Sequence, residues 1–292
     1  MKKNQKLYSV KKIILFFCFL MCFRYTEISS LEKLRISSIP DESITELHKK
    51  FLPLKEYLEK KLNLQIKFVP VSDYASVVEA LSTNKIDLAW LGGFTFVQSY
   101  KRSDGQVEPI IQRVKDEKFT SVFIVNKKDK IKSFKDLNGK SFSFGSPSST
   151  SGHIMPRYFL LKQNIIPESF FSPVAYSGAH DATLYSVLSG KVKAGVLNSL
   201  VWHKLIKQKP QLKEKLKVLF ETEHYYDYNW TIRKQIPQSI KDQIVKAFLE
   251  LNINNLKHKE ILELQRAEKY TKTKKENYDR ILEAAKSTNI IN

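Results

Sequence analysis

Cysteine is almost missing from this 292-residue chain: the only two, Cys18 and Cys22, lie within the first thirty residues. Once that stretch is removed, the remainder has no disulfide, no thiolate metal ligand and no cysteine nucleophile. The six histidines, at 48, 153, 180, 203, 224 and 258, form no close pair of the kind a zinc-binding helix needs, so neither metal nor cofactor is expected. The nine glycines make no Gly-rich nucleotide loop, and no paired carboxylates of the glycosidase type stand out. Long hydrophobic runs are missing as well. The eleven apolar residues from Ile13 to Phe23 stop at Arg24, short of the about 20 that a membrane-spanning helix requires. Five lysines in MKKNQKLYSVKK precede that run, which gives the outline of a signal peptide. Small residues at Ser29 and Ser30 put cleavage there, although Ile28 matches the usual pattern poorly. Neither cysteine follows the small residues that lipid modification wants. A freely diffusing exported protein with no stable membrane anchor is expected.

Acidic residues are scarce, with 30 against 49 basic ones. Without residues 1–30 the counts are 29 and 43, a formal charge of +14 that favours an anionic partner. Export keeps the chain from nucleic acid, and the lysines are scattered rather than gathered in one patch. Their densest run, KYTKTKK at 269–275, reads as a solvated helix surface.

What is present is a repeated alternation of strand and helix patterns. LRISSI, QIKFVPV and IDLAWLG are short apolar or alternating runs, separated by the helical patterns FLPLKEYLEKKL and YASVVEALSTNK. After SVFIVNK the alternation restarts with KSFSFG, SGHIMPRYFLLKQN, FSPVAYS, HDATLYSVLSGK, AGVLN and VWHKLIKQ. The stretch from KVLFETE through YNWTIRK reads as a return crossing, after which IPQSIKDQIVKAFLELN and the later helices rejoin the first unit. About 262 residues suffice for two α/β lobes, each with its own core. The expected organisation is a signal peptide over 1–30, lobe one over 31–118 and 223–292, and lobe two over 119–222.

Chemistry concentrates in FGSPSSTSGHIMPRYF at 144–159, where Phe144 ends an apolar strand and four hydroxyl residues precede a helical pattern from Gly152. Helix starts leave backbone N–H groups unpaired and positive, and Ser149, Thr150 and Ser151 add hydroxyl donors. Together these groups suit an oxyanion. One serine merely capping the helix is the competing reading.

The segments VPVSDYASVVEAL, IDLAWLGGFTFVQ, FTSVFIVNK, FGSPSSTSGHIMPRYF and AYSGAHDATLYSVLSGKVKAGVLN, in this order and spacing, resemble the phosphate/phosphite/phosphonate ABC transporter substrate-binding family. The resemblance runs from about Leu34 to Arg233 and is nearest a branch with members labelled as selenate binders. It implies a type II periplasmic binding protein fold, with two α/β lobes joined by a two-strand hinge and a small oxyanion between them. It also implies an ABC transporter permease as partner. The resemblance puts the ligand headgroup on Ser149, Thr150 and Ser151. It assigns a ligand-reaching hydroxyl to Tyr74, an oxygen-binding imidazole to His180 and a carboxylate at the return crossing to Asp227. Trp90 and Leu91 to Gly93 would form the wall of the first lobe, with Trp90 in the core as the alternative.

A carboxylate beside an anion makes sense once the ligand proton is counted. Phosphite and phosphonate monoanions carry an O–H that can donate to Asp227, whereas ionised selenate or sulfate has none. For an aminoalkyl phosphonate a second carboxylate is expected near the ammonium, yet VLNS offers neutral Asn198. Phosphite or a small alkylphosphonate is therefore the expected ligand, with phosphate and selenate as alternatives in the same fold. Ser149, His180 and Asp227 nominally supply a hydrolase triad, but SSTSG lacks the G-x-S-x-G elbow. A binding protein rather than an enzyme is expected, and an extracytoplasmic sensor is the remaining alternative.

Overall fold

The computed structural model describes residues 32–291. The signal expected over 1–30, with Cys18 and Cys22, lies outside the described residues. Strands β1 (Lys33–Ser38), β2 (Gln65–Phe68), β3 (Leu88–Leu91), β4 (Val107–Arg113), β10 (Asn229–Arg233) and β11 (Tyr270–Lys272) make one sheet. Strands β5 (Ser121–Asn126), β6 (Phe142–Phe144), β7 (Val174–Tyr176), β8 (Ala194–Asn198) and β9 (Leu216–Glu221) make a second. The helices used below are α1 (Ile44–Leu62), α2 (Tyr74–Ser82), α3 (Gly93–Arg102), α4 (Met155–Lys162), α5 (His180–Ser189) and α6 (Ser199–Gln208). Among the described residues no helix is long and apolar enough to cross a membrane.

The first sheet runs β11-β4-β10-β3-β1-β2, with β1, β2 and β3 parallel and β10 inserted antiparallel between β3 and β4. The second runs β7-β6-β8-β5-β9, with β6 parallel to both neighbours and β5 antiparallel to both of its own. Strand β5 shows how an uninterrupted apolar run becomes a central strand. Side chains alternate across a pleat, so Val122 and Ile124 join the cluster of Leu184, Leu197 and Trp202 on one face. Phe123 and Val125 join Phe142, Phe144 and Leu160 on the other. Each fully buried side chain of this size contributes about 1.5–3 kcal/mol relative to exposure.

Two segments expected from the sequence differ in the fold. Helix α1 begins at Ile44 rather than Phe51, because Leu47 continues the buried face of Phe51, Leu54, Leu58 and Leu62. KYTKTKK is no helix: Tyr270–Lys272 is the edge strand β11, paired with β4 from Arg113 to Ile111. Burial of Tyr270 and pairing along β4 outweigh the polar, helix-like composition of that run.

The carboxyl ends of β1, β3, β6 and β8 deliver the chain to one region between the sheets, the usual place for a ligand in open α/β architectures. The two connecting segments meet at Phe119 and Tyr225, which exchange backbone hydrogen bonds of 2.8 and 3.0 Å. Across the mouth, the His180 N–H donates to the Asp41 carbonyl at 3.1 Å and the Ser43 N–H to Asp181 Oδ2 at 3.1 Å. The Lys204 ammonium donates to Glu42 at 2.7 Å and also to Glu46.

Candidate functional site

The hydroxyl-rich loop after β6 is folded back on itself. Gly145 N–H donates to Gly152 O at 2.8 Å, Ser149 N–H to Ser146 O at 3.0 Å, and Gly152 N–H to Ser149 Oγ at 2.9 Å. Ser149 is therefore a helix cap, as the simpler reading had it, but capping uses only a lone pair and leaves its O–H able to donate. The first turn, Thr150–Ile154, is π-helical before α4 continues from Met155. Such widened turns recur at functional sites. Among the described residues the Thr150 and Ser151 N–H groups meet no acceptor, so the turn presents two bare donors beside its hydroxyls. Glycine is needed at 152, where a Cβ would lie 2.9 Å from Ser149 Oγ and 3.1 Å from the His180 ring.

Opposite this turn, α2 begins at Tyr74, directly after Asp73, whose Oδ1 accepts from Ser76 N–H at 2.7 Å. The Tyr74 hydroxyl is buried facing the Ser149 hydroxyl, with no partner at full hydrogen-bond geometry. At the start of α3, Gly93 N–H donates to Asp227 Oδ1 at 3.0 Å and Phe94 N–H to Thr150 Oγ1 at 2.9 Å. Thr150 and Ser151 also turn their hydroxyls toward Asp227. The other Asp227 oxygen, Oδ2, is buried without a partner. Desolvation raises this carboxyl to about 7, against the hydrogen bonds that favour its charged form. Gly92 lets the parts meet: a Cβ there would stand 2.9 Å from Thr150 Oγ1 and 3.2 Å from Asp227 Oδ1.

His180 opens α5 fully buried, and desolvation lowers it to about 4 despite nearby Asp41 and Glu42. The ring is therefore neutral near pH 7. Its Nδ1 accepts from Asn198 N–H at 3.3 Å, which puts the proton on Nε2, where the nearest partner is a long 3.4 Å contact to the Tyr228 hydroxyl. All six residues expected from the sequence thus converge on one enclosed region, at 2 % exposure or less. They do not form a proton relay. Ser149 bonds to Gly152, His180 to Asn198 and Tyr228, and Asp227 to Gly93, so these three described residues form no serine, histidine and aspartate chain.

Several residues in this region were not among those singled out. Asp41 is wholly buried with neither carboxylate oxygen hydrogen-bonded, and Lys50 stands 3.7 Å away, its ammonium also unpartnered. Burial lowers Lys50 to about 8 while Asp41 opposes that shift. The placement of an aspartate immediately after strand β1, in SSIPDES, was the available signal for Asp41. Lys50 had none, since it reads as an ordinary polar helix position. Tyr228 faces the Nε2–H of His180 as an acceptor, accepts from Asn198 Nδ2 at 2.9 Å, and stacks on Trp90 with ring centroids 5.2 Å apart. Trp90 is fully buried and packs on Trp230 as well, which makes it core and wall at once. Ser121 meets the Tyr225 hydroxyl at 2.5 Å and the Ser151 carbonyl at 2.7 Å, bracing the turn from β5.

The available groups are thus donors from Thr150, Ser151, Tyr74 and His180 around the unpartnered acceptor Asp227 Oδ2, with the Asp41 carboxylate offset by Lys50 at 3.7 Å. Such a set complements a small anion that carries one proton.

Residues 36–278 match the model of a family described as the phosphonate ABC transporter periplasmic substrate-binding protein. The chain is 32% identical to a probable ABC transporter phosphite binding protein, PhnD1, of Prochlorococcus marinus (strain MIT 9301), over 99% of both chains. It is 28% identical to the phosphonates-binding periplasmic protein of Escherichia coli K12, over 74% of this chain and 65% of that protein. The structure of Prochlorococcus marinus PhnD1 in complex with methylphosphonate has a TM-score of 0.85 to this chain, at 32% identity, covering 90% of this chain and 100% of that one. With 21% identity and a TM-score of 0.81, a binding protein component of an ABC phosphonate transporter from Pseudomonas aeruginosa shares the fold. By sequence match and by fold, this chain belongs to the family of periplasmic substrate-binding proteins of phosphonate ABC transporters.

Proposed function

We propose that this protein captures phosphite or a small alkylphosphonate as its monoanion and delivers it to an ABC transporter permease. The observation that carries the ligand class is Asp227 Oδ2, a buried acceptor with no partner inside a ring of donors. An anion with one O–H fills both requirements, whereas sulfate or selenate would leave the carboxylate facing a bare negative oxygen. The probable phosphite-binding relative and the methylphosphonate complex of PhnD1 support the same class. Asp41 does not convert the site to one for an aminoalkyl group, because Lys50 already offsets its charge at 3.7 Å.

In this reading residues 31–118 with 223–292, and residues 119–222, are two lobes that close on the ligand. The Phe119 and Tyr225 pair would be the pivot, and the Thr150 to Phe94 and Lys204 to Glu42 bonds mark the closed state. Residues 1–30 serve export and are cleaved. Ser149, Thr150, Ser151, Tyr74 and His180 hold the anion oxygens, and Asp227 reads the proton. Binding, not turnover, is the activity.

Titration calorimetry of the protein from residue 31 onward, with phosphite, methylphosphonate, phosphate, aminoethylphosphonate, selenate and sulfate, tests the proposal. Saturable binding tightest for phosphite or methylphosphonate is expected. Tighter binding of selenate than of every phosphorus oxyanion would overturn it.

A further inference from the structure

His153 lies in the hydroxyl-rich segment but outside the ligand set, and its bonds point back at that segment. It is 1% exposed and packs edge-on against Phe144, with ring centroids 4.9 Å apart. Arg157, four residues on and thus on the same helical face, donates from Nε to His153 Nε2 at 2.8 Å. An arginine N–H can only donate, so Nε2 must be the bare nitrogen and Nδ1 must carry the proton. That proton is directed at the Pro147 carbonyl, 2.7 Å from Nδ1. The arginine is fixed in turn, since its guanidinium makes bonds of 2.9 and 2.6 Å to both Glu168 oxygens and 3.1 Å to the Tyr176 hydroxyl. It also lies over the Phe144 ring, 5.1 Å from the centroid.

We infer that His153 is a positioning residue for anion binding, which clamps Pro147 and thereby presets the 148–151 turn before any ligand arrives. The inference rests on the anion-binding reading of that turn. Free backbone N–H groups are useful to an oxyanion only if they already converge, because ordering them during binding subtracts from affinity. Pro147 has no N–H of its own, so its carbonyl is the handle by which the segment can be held. Glu168, Arg157 and His153 form a rigid line from the surface to that handle, and Arg157 fixes the imidazole tautomer that the clamp needs. Burial keeps the ring neutral, lowering it to about 4, so the tautomer holds across the neutral range.

The test compares His153→Phe, which keeps a ring but loses the donor, with His153→Asn, whose amide N–H can stand where Nδ1–H stood. Phosphite affinity should fall about tenfold in the Phe variant and return to within about threefold in the Asn variant. Hydrogen exchange of the ligand-free proteins should show faster exchange at 148–151 in the Phe variant alone, with helices elsewhere unchanged. Equal affinity and exchange in all three proteins, or equal loss in both variants, would overturn the clamp. Should the Phe variant not fold, nitrogen NMR of the wild-type imidazole decides: a protonated Nδ1 and bare Nε2 support the clamp, and the reverse tautomer sinks it. Exchange and tautomer are read without ligand. Failure of wild-type protein to bind phosphite would therefore count against the functional reading and be distinguishable from failure of the clamp.

Discussion

Replacing Asp227 by asparagine changes two properties of the site in opposite directions, which makes it a demanding test. The amide oxygen can keep the 3.0 Å bond from Gly93 N–H, leaving the NH2 group where the unpartnered Oδ2 stood. A phosphite monoanion then loses the acceptor that the ionised carboxylate, present in the folded protein from about pH 7 upward, offers its O–H, and meets a donor instead. Hydrogen bonds to charged groups contribute about 1.5–3 kcal/mol, so phosphite affinity should fall roughly 10- to 150-fold. Sulfate should gain, because a like charge is replaced by a donor. Stability supplies an internal control. Burial raises Asp227 from 3.8 to about 7, so the unfolded chain releases this proton before the folded one does. Its favourable contribution is complete below pH 3.8 and is lost as pH rises toward 7, by about 4 kcal/mol at most. The ligand-free variant should therefore melt higher than wild type at pH 7, with little difference near pH 4. Calorimetry with phosphite and sulfate in parallel, and melting curves across that range, read both effects. Unchanged phosphite affinity together with continued rejection of sulfate would refute the proton-reading role.

Thr150→Ala removes the acceptor for Phe94 N–H and a donor near Asp227, so phosphite affinity should drop by about 1.5–3 kcal/mol while Thr150→Ser retains most of it. An unaffected Ala variant would assign that hydroxyl to solvent or capping. Burial lowers His153 and His180 from 6.5 to about 4, so their stabilisation is present above pH 6.5 and lost as pH falls toward 4, by about 3 kcal/mol each at most. Melting of His180→Gln should lose part of that acid dependence, and an unchanged acid limb would contradict a neutral buried ring. Lys204→Met removes the bonds to Glu42 and Glu46 across the mouth without touching the ligand set. Ligand should dissociate roughly fivefold faster, about 1 kcal/mol, and small-angle scattering should show a more open liganded protein. Identical dissociation rates would show that the contact is incidental to closure.

The family and much of the candidate site were legible because their signals are local. The apolar run of β5, the strand ending at Phe144 and the hydroxyls before Gly152 each report on their own few residues. Ser149, however, is compatible with both roles that had been set against each other. It caps the turn through Gly152 N–H and still faces the site, because a hydroxyl accepts and donates at once. The run KYTKTKK misled for the converse reason. Its composition is polar, but its conformation is decided by pairing with β4, which sequence spacing does not reveal.

By itself the sequence determined the alternation of elements, their apolar faces and the donor-rich turn, all of which depend on chain periodicity and neighbouring residues. The tertiary structure alone decided which distant groups meet and how they titrate. Gly93 reaches Asp227 across 134 positions and Phe94 reaches Thr150 across 56. The Tyr228 contact to His180 also arises only when the sheets are brought together. The opposite shifts of Asp227 and His180 have one cause, which is loss of solvent. Desolvation belongs to the packed molecule rather than to any residue, so no reading of the chain alone could assign it.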